Sequence, residues 1–202
     1  RRLLRARIKS ILARLEKVRK QRDNGRRSRL RAEVPVVSLV GYTNAGKSTL
    51  LNSLTDSSIV AEDKLFATLD PTSRRLRFPQ EIEVIITDTV GFITNLPKDL
   101  LQAFKATLEE LEEADLLVHV IDVSNPAFRH QVEVVEGLLR ELGLDRIPCL
   151  KVFNKTDLID ADSPLSEVID REGVGISALD RESFGPFLDK AQQLMRKLIA
   201  AD

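Results

Sequence analysis

Short apolar runs alternate with stretches of helical apolar spacing along most of the chain, and that alternation sets the first expectation. Val36 to Val40, Val84 to Thr87, Leu116 to Ile121, Ile147 to Phe153 and a weaker Val174 to Ile176 read as buried strands. Helices are expected near 47–54, 98–113, 127–142 and 181–200. Strands separated by helix-length segments build a mostly parallel α/β sheet. One connection breaks the rule, because only Pro79-Gln80-Glu81 separates the run Arg74 to Phe78 from the strand that begins near Ile82. No crossover helix fits there, so these two runs are expected to form an antiparallel hairpin. The prediction is a six-stranded sheet, parallel except for one strand.

A different pattern precedes this body. Leu4, Ile8, Ile11, Leu15 and Val18 recur at spacings of four, three, four and three, on one face of a helix whose other faces carry Arg and Lys. Asp23-Asn24-Gly25 ends it, and Arg26, Arg27, Arg29 and Arg31 lead into the body. Two heptads are too few for stable self-association. The stripe is therefore expected to pack on another helix, or else to lie under the stems of its own arginines on a solvated helix, with the protein a monomer. Charge sharpens the division: residues 1–32 hold 14 of the 31 Lys/Arg and two of the 31 acids, a net +12, which leaves −12 on the other 170 residues and a total of zero. A basic arm on an acidic body suits a polyanion, nucleic acid ahead of an acidic lipid surface.

Composition bounds the rest. At 202 residues and 43% hydrophobic content, one core plus an appendage is expected: an arm over 1–32 and a single domain over 33–202. Every apolar run is shorter than ten residues and the first segment is densely charged, so neither a membrane span nor a secretory signal is expected, and the expected location is cytoplasmic. Cys149, the only cysteine, allows no internal disulfide and reads as a small buried apolar group. Arg1 stands where a start Met would, which reads as a piece of a longer protein.

The residues that carry chemistry sit at the ends of the expected strands. Gly41-Tyr-Thr-Asn-Ala-Gly46-Lys47-Ser48 joins the first strand to a helix and forms a phosphate-binding loop. Backbone N–H groups of Gly41, Asn44, Ala45, Gly46 and Thr49 can face a phosphate, Lys47 can reach the outer phosphates, and Ser48 can offer its hydroxyl to Mg²⁺. A helix N-terminus behind the loop adds a favourable dipole. Asp88-Thr-Val-Gly91 follows the next parallel strand, where Asp88 can hold Mg²⁺ through its water shell and the Gly91 N–H can meet the outermost phosphate. Asn154-Lys155-Thr156-Asp157 ends a later strand, and Asn154, Lys155 and Asp157 are expected to bind the base. Asp157 can accept hydrogen bonds from the N1–H and amine of guanine, which adenine cannot supply, so GTP and GDP are the expected ligands. Ser177-Ala178 can support the guanine carbonyl from its backbone. Thr68 is expected to complete the Mg²⁺ shell, with Thr72 as the rival, in a loop ordered by the third phosphate. His119, inside a strand, reads as structural, and His130 as solvent-facing; the acidic run Glu109, Glu110, Glu112 and Glu113 reads as a solvated helix face.

Together, Gly-Tyr-Thr-Asn-Ala-Gly-Lys-Ser, Phe66-Ala-Thr-Leu-Asp-Pro-Thr72, Asp-Thr-Val-Gly-Phe-Ile followed by Leu96-Pro97, and Phe104-Lys-Ala-Thr-Leu-Glu109 resemble the HflX family of ribosome-associated GTPases. That resemblance covers residues 33–180 and implies a P-loop G domain, with residues 1–32 as the end of a basic helical connector to an upstream ribosome-binding domain. It implies contact with the large ribosomal subunit and a role in splitting or rescuing stalled ribosomes. A GTPase of ribosome assembly or tRNA modification, and an RNA-binding module tuned by nucleotide, are the competing readings. The family usually has Ile where this chain has Thr156. Phe92 stands where signalling GTPases place the glutamine that orients the attacking water, so slow hydrolysis without a partner is expected, and Asn44 matches a position that helps hold K⁺ in related GTPases.

Overall fold

The computed structural model describes residues 34–55, 72–78, 82–89, 91–92, 109–160 and 162–200. Six strands form one sheet in the order β2-β3-β1-β4-β5-β6: β1 (Val36–Val40), β2 (Thr72–Arg77), β3 (Glu83–Asp88), β4 (Leu116–Asp122), β5 (Cys149–Asn154) and β6 (Val174–Gly175). β1 lies between β3 and β4 and pairs in parallel with both, as β5 does with β4 and β6. Only β2 runs against its neighbour, with Leu76 opposite Val84 and Thr72 opposite Asp88. The expected hairpin forms, closed by the Phe78 N–H donating to the Ile82 carbonyl at 2.9 Å.

Strand alternation decides which helix covers which face. Val37, Leu39, Val118, Val120 and Val152 point to one side, where α1 (Lys47–Thr55) and α4 (Gly185–Ile199) bring Leu50, Leu51, Phe187, Ala191 and Met195. Val40 and Leu117 point to the other, where α2 (Phe128–Glu141) brings Val135 and Leu139; Ile121 and Phe153 meet Phe128 and Ile169, the latter from α3 (Leu165–Glu172). A parallel sheet covered on both faces explains why β1 is apolar nearly throughout and buried at every residue.

Several boundaries differ from the sequence expectation, each for a local reason. β5 starts at Cys149, not Ile147, because Pro148 has no N–H for the ladder; its carbonyl still accepts from the Leu117 N–H at 2.8 Å. Cys149 is exposed instead of buried, since cover over β5 grows toward its last three residues. The expected helix over 181–200 is two pieces, a 3-10 turn (Arg181–Phe184) capped by Asp180 Oδ1 accepting from the Glu182 N–H at 3.0 Å, and α4, which restarts at Gly185-Pro186. Proline suits a first turn and no later one. Helix α3 was not expected from the sequence: eight residues with Leu165, Val168 and Ile169 apolar are too short to display a period. Of the helix expected over 98–113, only 109–113 falls among the described residues, and it is a 3-10 turn. The basic arm, Phe66 to Pro71, Leu96-Pro97 and residues 98–108 lie outside the described residues.

Candidate functional site

The carboxyl ends of β1, β3, β4 and β5 share one edge of the sheet, and β1, which has a parallel neighbour on either side, is where the chain changes direction across it. Clefts in open α/β sheets form at that point. The loop Gly41–Ser48 fills it. Its backbone is in the left-handed half of conformational space at Asn44 (φ 61) and Gly46 (φ 95). Asparagine tolerates this, whereas a Cβ on Gly46 would also run into the Asn154 amide nitrogen. Asn44 is exposed, and Thr49 sits half-buried on α1.

Lys47 opens α1 and is only 6% exposed. Its ammonium turns back over the loop, donating to the carbonyls of Gly41 at 3.2 Å and Tyr42 at 3.0 Å. Burial lowers its pKa to about 8, against the opposing pull of the Asp88 carboxylate. Ser48, one residue on, donates from Oγ to Asp88 Oδ2 at 2.5 Å. This pair fits Mg²⁺: two hard oxygen donors converge beside a lysine, and Mg²⁺ takes few protein ligands, completing its octahedron with phosphate and water. Thr68 lies outside the described residues; Thr72 is paired opposite Asp88 in the β2–β3 ladder.

Past β3, the chain is stitched to the loop. The Phe92 N–H donates to the Gly41 carbonyl at 3.1 Å and the Thr43 N–H to the Phe92 carbonyl at 2.8 Å. Gly91 is held so close that a Cβ on it would lie 2.7 Å from Thr43 Cα and 3.1 Å from Lys47 Nζ. The Phe92 ring is buried with Val40, Leu117, Val135 and Leu139, away from solvent.

Asn154, 1% exposed at the end of β5, joins three loops. Its Nδ2 donates to the Ala45 carbonyl at 2.8 Å and its Oδ1 accepts from the Ala178 N–H at 2.9 Å. Both ends of its amide are thus spent on backbone. The Ala178 carbonyl in turn accepts from Ser53 Oγ of α1 at 2.6 Å, and the Ser177 N–H donates to Ser183 Oγ at 3.0 Å. Lys155 has a left-handed backbone (φ 67), and its Nζ meets Asp122 Oδ2 at 2.8 Å. Asp157, in the 3-10 turn Thr156–Leu158, is exposed. Asp122 is the residue that sequence reading missed. An aspartate closing the strand that pairs with the Asn154 strand was the available signal. His119, by contrast, is 2% exposed inside β4 with no hydrogen-bond partner for Nδ1 among the described residues, and burial lowers its pKa to about 4; His130 is exposed, as expected.

A lysine-bearing loop between β1 and α1, a hydroxyl–carboxylate pair beside it and an Asn-Lys-x-Asp turn on the same sheet edge, in a six-stranded sheet with one antiparallel member, define a P-loop GTPase G domain. The family described as "50S ribosome-binding GTPase" matches residues 36–155, and the chain belongs to it. It is 55% identical over 160 residues to GTPase HflX of Caldanaerobacter subterraneus subsp. tengcongensis, covering 79% of this chain and 37% of that protein. With GTPase HflX of Escherichia coli it shares 53% over 164 residues, 81% of this chain and 38% of that protein. The HflX resemblance carried by the motifs is therefore borne out, and the chain spans less than half the length of these relatives. Among solved structures, a GTP-binding protein from Sulfolobus solfataricus in complex with GDP superposes with a TM-score of 0.66 at 30% identity, covering 89% of this chain and 58% of that one.

Proposed function

We propose that this chain is the GTP-binding and GTP-hydrolysing part of a larger cytoplasmic, ribosome-associated switch. The observation that supports the reading is the tie through Asn154, whose amide bonds the Ala45 carbonyl of the phosphate loop and the Ala178 N–H from the start of the Asn-Lys-x-Asp turn. In this reading the backbone of Gly41, Asn44, Ala45, Gly46 and Thr49 and the Lys47 ammonium hold the phosphates, and the Gly91 N–H meets the outermost one. Asp157 accepts from the guanine edge, and Ser177 and Ala178 support its carbonyl. Ser48, Asp88 and Thr68 hold Mg²⁺, which when bound neutralises phosphate charge. Catalysis rests on positioning and electrostatics through Lys47, Thr68 and Gly91.

Phe92 has no group for a water, and its ring is packed in the core, so the isolated chain turns over slowly. Asn44 contributes to a K⁺ site that assists. Residues 1–32 form a basic connector to an upstream ribosome-binding part, and large-subunit rRNA is its partner. The test is GTP turnover by a longer protein that retains its upstream part, with and without large ribosomal subunits, in K⁺ and in Na⁺. Stimulation by subunits and by K⁺ is expected. Equal binding of GDP and ADP would overturn the guanine reading, and turnover indifferent to subunits the ribosomal one.

A further inference from the structure

We infer that Asp122 is a positioning residue for the nucleotide site: by holding the Lys155 ammonium it keeps the Asn154–Asp157 turn in the shape that presents Asp157 to a base. This rests on the guanine reading above. Asp122 ends β4 directly beside Asn154, the last residue of β5. Pairing continues one step further, with the Val123 N–H donating to the Asn154 carbonyl at 3.1 Å, so the residues following both strands are held at a fixed separation. Lys155 is the first residue after β5, and its left-handed backbone (φ 67) is one that a long side chain rarely adopts without support. Asp122 supplies that support through Oδ2, 2.8 Å from Lys155 Nζ.

The carboxylate is itself locked. Its Oδ1 accepts from Ser124 Oγ at 2.6 Å and the Ser124 N–H at 3.1 Å, so both oxygens are engaged and the acceptor is aimed before the lysine arrives. The pair is sheltered, the side chains being 13% exposed for Asp122 and 32% for Lys155, where an ordinary surface pair would contribute little. On the far side, the Thr156 N–H donates to the Ile176 carbonyl at 3.1 Å, which leaves the Lys155 backbone as the joint between two anchored ends. Fixing that joint fixes where Thr156 and Asp157 leave it.

Electrostatics gives the inference a sign. Asp122 is an anion, and the ligand proposed for this site is a polyanion. If the Asp122 charge acted only through space, neutralising it would tighten nucleotide binding. A positioning role predicts weakening. The experiment measures release of a fluorescent N-methylanthraniloyl GDP from the whole chain with Mg²⁺ for wild type, Asp122→Asn, Lys155→Met and the double variant, with melting of the nucleotide-free proteins alongside. Asp122→Asn is expected to speed release about tenfold, the scale of one lost charge-assisted bond, and to add nothing on the Lys155→Met background. Ser124→Ala, which removes one bond to Oδ1, is expected to speed release about twofold with Lys155 present and not without it, and keeps the test available should Asp122→Asn not fold. Slower or unchanged release in both single variants overturns the inference, as do effects that multiply with Lys155→Met. A wild type with no preference for the GDP probe over its ADP counterpart overturns the guanine reading and this one together.

Discussion

At the scale of single residues, two buried bases set the response to pH. Lys47 has its pKa lowered to about 8 because its ammonium is desolvated and faces backbone carbonyls more than counter-charge. A bound polyphosphate raises that pKa again. Near pH 8 nucleotide binding should therefore take up a proton, and affinity should fall as pH rises through 8 toward the ordinary lysine value of 10.5. Calorimetry in buffers of different ionisation heat reads the uptake, and Lys47→Ala should abolish it. His119 acts on stability with the opposite dependence. Its pKa falls from 6.5 to about 4 in the fold, so below pH 6.5 the unfolded chain takes a proton that the native one refuses. Stability is full above 6.5 and is lost as pH drops toward 4, by roughly 3 kcal/mol in all. Urea denaturation at pH 7 and 4.5 should show the loss. His119→Leu should remove much of it, since Nδ1 has no hydrogen-bond partner among the described residues.

At the scale of elements, the site depends on Asn154 more than on any one strand. Asn154→Ala leaves the Ala45 carbonyl and the Ala178 N–H buried without partners, at a cost of roughly 2–4 kcal/mol for the two. Chemical denaturation should show that loss, and nucleotide affinity should fall as well, because the phosphate loop and the Ala178 loop are then no longer joined. The bonds of Asn154 to the Ala45 carbonyl and the Ala178 N–H join segments far apart in the chain, and contacts of that kind are where sequence reading reaches its limit. Apolar runs revealed β1, β3, β4 and β5 because parallel strands covered on both faces leave an unbroken hydrophobic signature. The hairpin was legible from a connection too short for a helix. Helix α3 was not, since eight residues show barely two turns, and neither was the division before α4, since Gly185-Pro186 can begin a helix as well as interrupt one. Lys47, Ser48 and Asp88 were legible because their spacing reflects a local loop and one neighbouring strand. Asp122 was hidden because its partner Lys155 is brought to it by the β4–β5 register alone.

For the whole molecule, the opposed charges of residues 1–32 and of the remaining 170 make a prediction that single sites do not. The +12 over residues 1–32 is offset by −12 over the rest, so a nucleic acid is attracted to one part and repelled by the other. If residues 1–32 carry the proposed binding to ribosomal RNA, that binding should fall steeply with salt. If the arm's 14 Lys/Arg engage about six phosphates, affinity should drop by about a thousandfold between 50 and 200 mM salt. Nucleotide binding should respond far less, because Lys47 is buried in the loop and screening acts weakly on buried charge. A salt titration of RNA binding and of GDP binding on the same protein therefore separates the two proposed functions without a mutation. Exchanging the arm's arginines for glutamine should flatten the RNA curve and leave the GDP curve in place. Parallel salt slopes for both ligands would mean that RNA and nucleotide compete for one cationic surface, and the division between a binding arm and a switching body would fall.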